Sequence, residues 1–280
     1  MTRTNDSASF ATGQSFEPLA LLTSALPCPA SVAETQADVH AVRLEFSSRG
    51  DRVNARLLLP ASSSAPCPVV VVLGDAGQDH ASPSLDATSA WLERGLGVIT
   101  LDLSLHGERS SAKFSERLFA SIARVRDSSA SEGANAQSEL DPNSSALLEE
   151  FVLQSVIDLS RLFDAAAHLP QIDSGRIGIA GIGFGGVLAA AFASQDTRAV
   201  AVALAHCGAV HMPEIDPQIF AATITETSLL LIEEAQSDAG DALFAACGEP
   251  KSRATSKTSG GGLGDEGIKI AGDHFAAALG

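Results

Sequence analysis

Several segments of the chain show the alternation of apolar and polar side chains that is typical of half-exposed strands. Val39–Phe46 and Arg52–Leu59 both alternate in this way, and the residues between them, Ser48–Asp51, are typical of a turn. The pattern predicts an antiparallel hairpin. Four later runs are apolar throughout, which predicts strands buried on both faces of a parallel sheet. These runs are Val69–Leu73, Gly97–Leu103, Ala199–Ala205 and Thr227–Ile232.

Segments with helical periodicity separate these strands. The longest begins near Ser144 and ends at Pro170, with its apolar positions on one face. Shorter helices are predicted over Leu85–Arg94, over Asp238–Cys247 and in the alanine-rich C-terminal segment. We also expect a flexible tract over Lys251–Asp265 and a short strand over Ile268–Ile270. The alternation of strands and helices predicts one doubly wound α/β domain with a mostly parallel sheet.

The domain organisation follows from composition. Met1–Asp38 is rich in Ser, Thr and Ala and predicts a flexible N-terminal arm, and residues 39–280 form the domain. Ser110–Ser145 is polar with little periodicity, which indicates an insertion or lid, with a short helix over Ser115–Arg124.

Composition and charge exclude several classes of partner. The 280 residues are 45% hydrophobic and carry a formal net charge of −16, which argues against nucleic acid and against an anionic membrane surface. No apolar run reaches the ~20 residues that span a bilayer, and Pro18–Ala30 lacks the pattern of a signal peptide, so we expect a cytoplasmic protein. Four widely spaced cysteines give no metal or redox motif, and no cofactor is expected. They are Cys28, Cys67, Cys207 and Cys247.

The segment Arg176–Gly186 has a β-branched start, a cluster of glycines and a continuation that fits a helix. Gly181, Gly183 and Gly186 match the G-x-G-x-x-G spacing of dinucleotide-binding folds. That interpretation also requires an acidic residue at the end of the following strand, where this chain has His206-Cys207-Gly208. Nucleotide binding is therefore the less favoured hypothesis.

Other segments, in their order along the chain, favour a different family. Asp102–Arg109 reads D-x-x-x-H-G-x-x, Ile172–Gly178 leads into the glycine cluster, and Gly272–Phe275 reads G-x-H-F. From Val39 to the C-terminus the chain resembles the α/β-hydrolase fold, specifically the dienelactone hydrolase and acetyl-xylan-esterase-like group. The resemblance implies that fold, hydrolysis of carboxylic esters, and a small ester-like ligand.

The resemblance also implies roles for individual residues. Gly183 stands at the nucleophile position of the G-x-S-x-G elbow, where the family has serine. The backbone amides of Phe184 and Ala76 would form the oxyanion hole. Gly74-Asp75 replaces the family's histidine–glycine pair, and an aspartate there would oppose the negative charge that develops during catalysis.

The rest of the catalytic triad would come from the C-terminal third of the chain. His274 matches the family's base, and Asp238 is nearest to the position of the acid, with Glu233 and Glu234 as alternatives. For His106 we expect a structural role in shaping its loop.

Three hypotheses for function follow. The leading one is a degenerate hydrolase that has lost its nucleophile and its catalysis. The second is an active hydrolase or lyase in which His274 and an acid activate water. The third is a non-enzymatic module that binds a ligand under the 110–145 insertion. The sequence determines neither the ligand nor the oligomeric state.

Overall fold

A nine-stranded mixed sheet forms the centre of the structure. The computed structural model describes residues 33–38, 41–61, 66–78, 86–130, 140–208, 210, 212, 214–259 and 262–280. The strands are β1 Ala33–Asp38, β2 Ala41–Ser48, β3 Asp51–Leu58, β4 Cys67–Leu73, β5 Gly97–Leu101, β6 Ile172–Ile182, β7 Ala199–Ala205, β8 Ser228–Glu233 and β9 Lys251–Thr255. Their order across the sheet is β1-β2-β3-β5-β4-β6-β7-β8-β9. A separate two-stranded sheet pairs β10 Thr258–Ser259 with β11 Gly262–Leu263.

The helices lie between these strands in sequence. They are α1 Asp86–Glu93, α2 Ala112–Ala130, α3 Pro142–Ala166, α4 Phe184–Ala193, α5 Pro217–Ala221, α6 Asp238–Ala246 and α7 Asp265–Leu279, with a 3₁₀ turn at Gly107–Arg109. No helix in the described ranges is long and apolar enough to cross a membrane.

The sheet is antiparallel from β1 to β5 and parallel from β5 to β9. The predicted α/β fold with an N-terminal antiparallel hairpin is therefore confirmed. The hairpin is β2 and β3, paired from Ala41 opposite Leu58 to Ser48 opposite Asp51.

Side chains on the two faces of the sheet form two separate cores. Val69 and Val71 of β4 point to one face, where α3 and α4 pack, and Val70 and Val72 point to the other. Phe275 of α7 belongs to the second core. This division separates the residues that follow β6 from those on α7.

The sheet contains a topological switch point at its centre. β4 pairs with β5 on one side and with β6 on the other, so the strand order reverses its direction across the sheet at β4. Ligands of open α/β sheets bind in the crevice that such a reversal creates at the carboxyl ends of the strands. Gly74 and Asp75 follow β4 and Gly183 follows β6, so all three lie at this crevice.

The structure differs from the sequence-based expectations in the C-terminal region. Ile268–Ile270 is part of α7 and is not a strand. Ile268, Ala271 and Phe275 are buried with the spacing of a helix, so the short Ile-Lys-Ile alternation was misleading. The tract predicted to be flexible, Lys251–Asp265, contains the edge strand β9 and the small β10–β11 sheet.

Two further elements extend what the sequence indicated. The last six residues of the predicted arm form β1, which pairs with β2, and residues 1–32 lie outside the described part of the chain. Within the predicted insertion, α2 is a 19-residue helix rather than a short one. Leu118, Ile122 and Val125 of this helix are buried in the core beneath it.

Candidate functional site

The turn between β6 and α4 has the sharp geometry expected from its glycines. Gly183 has φ 58° and ψ −125°, in the region that favours glycine, and its amide donates to the Ala205 carbonyl over 2.8 Å. A Cβ atom at Gly181 would strike the backbone of Gly185, so strand and helix approach more closely than side chains would permit. We call this turn, Gly181–Gly185, the elbow.

The Asp75 carboxylate lies against the start of α4. Its Oδ1 atom accepts hydrogen bonds from the amide of Ala76 at 2.7 Å and from the amide of Phe184 at 2.9 Å. These are the two amides that the family resemblance assigns to an oxyanion hole. The structure therefore brings both together, and an acidic side chain of the same chain accepts from both.

Arg126 of α2 contacts the same carboxylate. Its Nη1 atom donates to Asp75 Oδ2 over 2.8 Å, and the two side chains are 35% and 22% exposed. A Cβ atom built on Gly183 would lie 2.5 Å from both Asp75 Oδ1 and Arg126 Nη2. The ion pair thus fills the space that a side chain at position 183 would need.

His106 borders the same small pocket as Asp75 and Phe184. Its imidazole is 2% exposed and lies between Phe119 and Phe151, with ring centroids 4.9 and 5.4 Å away. Nδ1 is 2.8 Å from the Ser104 carbonyl, and Nε2 has no hydrogen-bond partner among the described residues. Burial lowers the pKa of this imidazole, although the Ser104 carbonyl and nearby carboxylates oppose that effect.

The loop that carries His106 is fixed by its polar neighbours. Asp102 accepts from the Glu108 amide at 3.1 Å and lies where a Cβ atom on Gly107 would fall. Arg109 pairs with the fully buried Asp158 over 2.6 Å. The D-x-x-x-H-G-x-x segment is therefore a rigid connection that positions the His106 ring at the pocket.

The three candidate acids lie at the end of β8 and the start of α6. The Glu233 carboxylate is buried and pairs with Arg253 of β9. Asp238 is in the first turn of α6 and is exposed, as is Glu234.

His274 does not lie at the elbow. It is in the middle of α7, beside the backbone of Ser228 and Val202. Burial lowers the pKa of the imidazole, and these backbone groups oppose that effect. Val202 lies three positions before Ala205 in β7, which is a distance of about 10 Å along the strand. Ala205 is the residue whose carbonyl accepts the hydrogen bond from Gly183. Since α7 also packs on the opposite face of the sheet from α4, the structure does not join His274 to the elbow.

Sequence reasoning identified Asp75 only as an unfavourable neighbour and missed Arg126. The Gly74-Asp75 replacement was the only available signal, because nothing in the sequence shows that a residue in the insertion reaches β4. His206, which the sequence analysis considered only as the residue in place of an acid, has φ 53° just after β7 and lies beside the elbow. Burial lowers the pKa of the His206 imidazole.

The remaining binding hypotheses gain little from the geometry. In a dinucleotide fold the amides at the start of α4 would hold a pyrophosphate, but here the Phe184 amide already donates to Asp75. Within the described ranges, no group of three or more histidine, cysteine or acidic residues could hold a metal ion.

The comparison with family models gives a match to the dienelactone hydrolase family over residues 53–229, more than half of the chain. The chain belongs to this family. The matched region runs from β3 into β8 and so includes Asp75, Arg126 and the elbow, but not His274. No curated protein matches the sequence.

Solved structures of esterases share the fold. An acetyl xylan esterase from a Paenibacillus species aligns with TM-score 0.68 and 16% identity, covering 94% of this chain and 93% of that one. Acetyl xylan esterase 1 from a Thermoanaerobacterium species gives 0.65 and 14%, covering 95% and 94%. A cold-adapted esterase from an Arctic intertidal metagenomic library gives 0.65 and 14%, covering 91% and 100%. Identities this low support a common fold and do not assign a substrate.

Proposed function

We propose that this protein is a member of the dienelactone hydrolase family that has lost serine-esterase catalysis. The observation that supports this most strongly is the position of Asp75, whose Oδ1 accepts from the amides of both Ala76 and Phe184. In an esterase of this fold, those donors stabilise the oxyanion of the tetrahedral intermediate. Here they already hold a negative charge.

Electrostatics works against ester hydrolysis at this elbow. An oxyanion at the two amides would either displace the Asp75 carboxylate or form beside it. Two like charges 4 Å apart repel by about 4 kcal/mol at an effective dielectric constant of 20. A penalty of that size opposes the transition state in the place where an esterase stabilises it.

The nucleophile and base are also unsupported. Gly183 has no side chain, and loss of a catalytic serine costs on the order of 10⁶ in kcat. The imidazole that borders the pocket is His106, and its Nδ1 faces the Ser104 carbonyl rather than a carboxylate. His274 lies on the other face of the sheet, which gives no support to the alternative in which it activates water.

The decisive experiment is active-site labelling of the wild-type protein. We expect no labelling by a fluorophosphonate probe and no burst of p-nitrophenol from p-nitrophenyl acetate, with an active acetyl xylan esterase as positive control. Stoichiometric labelling of one serine would overturn the proposal. A slow steady release of p-nitrophenol is compared with that of the His106→Gln variant. A rate that depends on His106 without labelling of a serine would indicate hydrolysis by another route and would leave the loss of serine-esterase catalysis intact.

A further inference from the structure

His106 joins two helices beside the crevice. Its ring lies between Phe119 of α2 and Phe151 of α3, with centroids 4.9 and 5.4 Å away, and is 2% exposed. The loop that carries the ring is also tied to α2, since the Ser115 hydroxyl donates to the Leu105 carbonyl over 2.7 Å. A change at the ring would therefore act directly on α2.

The hydrogen bonds of the His106 ring determine where a second proton would go. The Ser104 carbonyl can only accept, so Nδ1, which is 2.8 Å away, carries the proton of the neutral ring. Nε2 would receive the next proton, and this atom is buried without a hydrogen-bond partner among the described residues. The apolar lining of the pocket beside the ring includes Leu103, Phe184 and Leu188. In the closed structure the protonated ring would therefore carry a buried N–H group without an acceptor from those residues, which costs free energy.

The charged groups near the ring come from its own loop, from the loop after β4 and from both helices. Asp102 and Asp75 favour protonation of the ring, and Arg109 opposes it. Arg109 pairs with Asp158 of α3 over 2.6 Å. Asp75 pairs with Arg126 of α2 over 2.8 Å. Burial outweighs the two carboxylates and holds the pKa of the imidazole below its ordinary value of 6.5.

Of the two helices, α2 is the less firmly held. Every residue of α3 from Gln154 to Phe163 is buried, so neighbouring elements surround that part of the helix. One face of α2 is exposed, and it includes Lys113, Glu116, Ala120, Ala123 and Arg124. Loss of the contact between His106 and Phe119 would therefore displace α2 rather than α3.

We propose that protonation of His106 releases α2 from the crevice, so that the ring acts as an acid-sensitive latch. Release gives the imidazolium access to water, which the closed structure denies it. Release also separates Arg126 from Asp75 and uncovers the apolar side chains beneath α2. The latch involves no catalysis, so it goes beyond the proposed function and does not depend on it.

The pH range of the latch follows from the uptake of one proton. In the open form His106 titrates at its ordinary value of 6.5, and in the closed form at a lower value. Above pH 6.5 both forms are neutral, and opening does not depend on this group. Between the two values the opening constant rises by up to about tenfold for each unit that the pH falls, and below the lower value the rise ends.

Hydrogen exchange of the wild type between about pH 8 and about pH 5 measures this opening. We expect the protection of the α2 amides, corrected for the intrinsic pH dependence of exchange, to fall by up to about tenfold per unit below pH 6.5. Amides of β7, in the centre of the sheet, should keep their protection. The ring nitrogen signals of His106 in an NMR titration should change over the same pH range as the protection of α2.

Two variants assign the effect to one histidine. His106→Phe keeps a ring between Phe119 and Phe151 but cannot take up a proton, so its α2 amides should stay protected in acid. His206→Gln is the matched control, because it removes another histidine whose pKa burial lowers and leaves the latch in place. Its α2 amides should lose protection as those of the wild type do.

Three results would overturn the latch. These are protection of α2 that does not change with pH, equal loss of that protection in wild type and His106→Phe, and loss of protection in β7 in step with α2. If His106→Phe does not fold, the wild-type titration decides, since opening that does not follow the protonation of His106 contradicts the proposal. Fluorophosphonate labelling tests the loss of catalysis separately, so the two proposals can fail independently.

Discussion

The Oδ1 atom of Asp75 lies 2.9 Å from the amide nitrogen of Phe184, a residue 109 positions further along the chain. The contact crosses the centre of the sheet, from the end of β4 to the start of α4. Gly183, at the N-cap of α4, has no side chain with which to satisfy the first amides of that helix. One carboxylate therefore caps the helix and also fills the crevice in which a ligand would bind.

Replacing Gly183 with serine should destabilise the protein and restore no esterase activity. The new Cβ atom would fall on Asp75 and Arg126, at a φ of 58° that non-glycine residues avoid. Gly208→Ser is the matched control, because Gly208 has φ 63° and nothing within 4 Å of its added Cβ atom. Backbone strain costs about 1–3 kcal/mol at both positions, and overpacking adds about 1–3 kcal/mol only at Gly183.

Urea unfolding of the two serine variants measures that difference. Equal losses of stability would mean that the Asp75 and Arg126 side chains move away from the new serine at little cost in free energy. Adding Asp75→Gly to Gly183→Ser should recover part of the lost stability, because it removes the atoms that the serine meets.

Removing the Asp75 carboxylate should destabilise the protein and expose the start of α4. Asp75→Ala loses two charge-assisted hydrogen bonds to amides, and we expect a loss of about 2 kcal/mol in the free energy of unfolding. Asp173→Ala is the control, since it removes a carboxylate that pairs with Arg176 nearer the surface, and a smaller loss of stability is expected.

Hydrogen exchange gives the local readout of the same variants. The Phe184 amide should exchange faster in Asp75→Ala than in wild type. In Asp173→Ala its exchange rate should be that of wild type. Unchanged exchange at Phe184 in both variants would show that another group protects this amide.

Three histidines, one buried and two half-buried, should make the protein less stable in mild acid. Burial lowers the pKa values of His106, His206 and His274 below 6.5 in the folded state. Between the lowered pKa values and pH 6.5, the unfolded chain then binds more protons than the folded chain. The stability that the neutral imidazoles contribute is therefore complete above pH 6.5 and is lost as pH falls through that range.

Comparison of variants separates this effect from that of the carboxyl groups. The pKa values of some carboxyl groups are raised in the folded protein, whereas those of the histidines are lowered. Urea unfolding between about pH 8 and about pH 5 should show a shallower decline for His106→Gln than for wild type. His168→Gln, at an exposed position, is measured alongside as the control for the replacement of a histidine by glutamine. An identical slope in His106→Gln would mean that His106 does not contribute.

The ion pair behind the His106 loop should be essential for stability. Arg109→Met would leave the fully buried Asp158 without its guanidinium partner, and we expect a loss of about 3–5 kcal/mol. Arg49→Met breaks the exposed pair with Glu150 and should cost less than about 1 kcal/mol. Thermal unfolding of both variants checks the contrast, and similar melting temperatures would contradict it.

The sequence was most informative where one local rule determined the structure. The apolar run Ala199–Ala205 was predicted as a buried strand and is β7 with the same bounds. Prediction from the sequence was wrong where a polar segment is structured only because it pairs with a neighbouring element. β9 is half exposed and polar, and it is a strand because it pairs with β8, which its composition does not reveal.

The candidate site shows the same division. The glycine spacing was enough to predict the elbow, because the turn requires φ values and close backbone contacts that only glycine permits. Neither the role of His274 nor that of Asp238 could be tested without knowing which end of the sheet each residue reaches. His274 is near the start of β8, and the helix that carries it was predicted in part as a strand.

By itself the sequence determined the α/β fold and the absence of a side chain at position 183, since periodicity and residue identity are local properties. Only the tertiary structure decided what fills the space beside Gly183. Asp75 and Arg126 are 51 positions apart in the chain, and they meet there because β4 and β6 are neighbours and α2 packs close to their carboxyl ends. The elbow that glycine spacing alone predicts is thus occupied by a carboxylate that no local pattern could have placed.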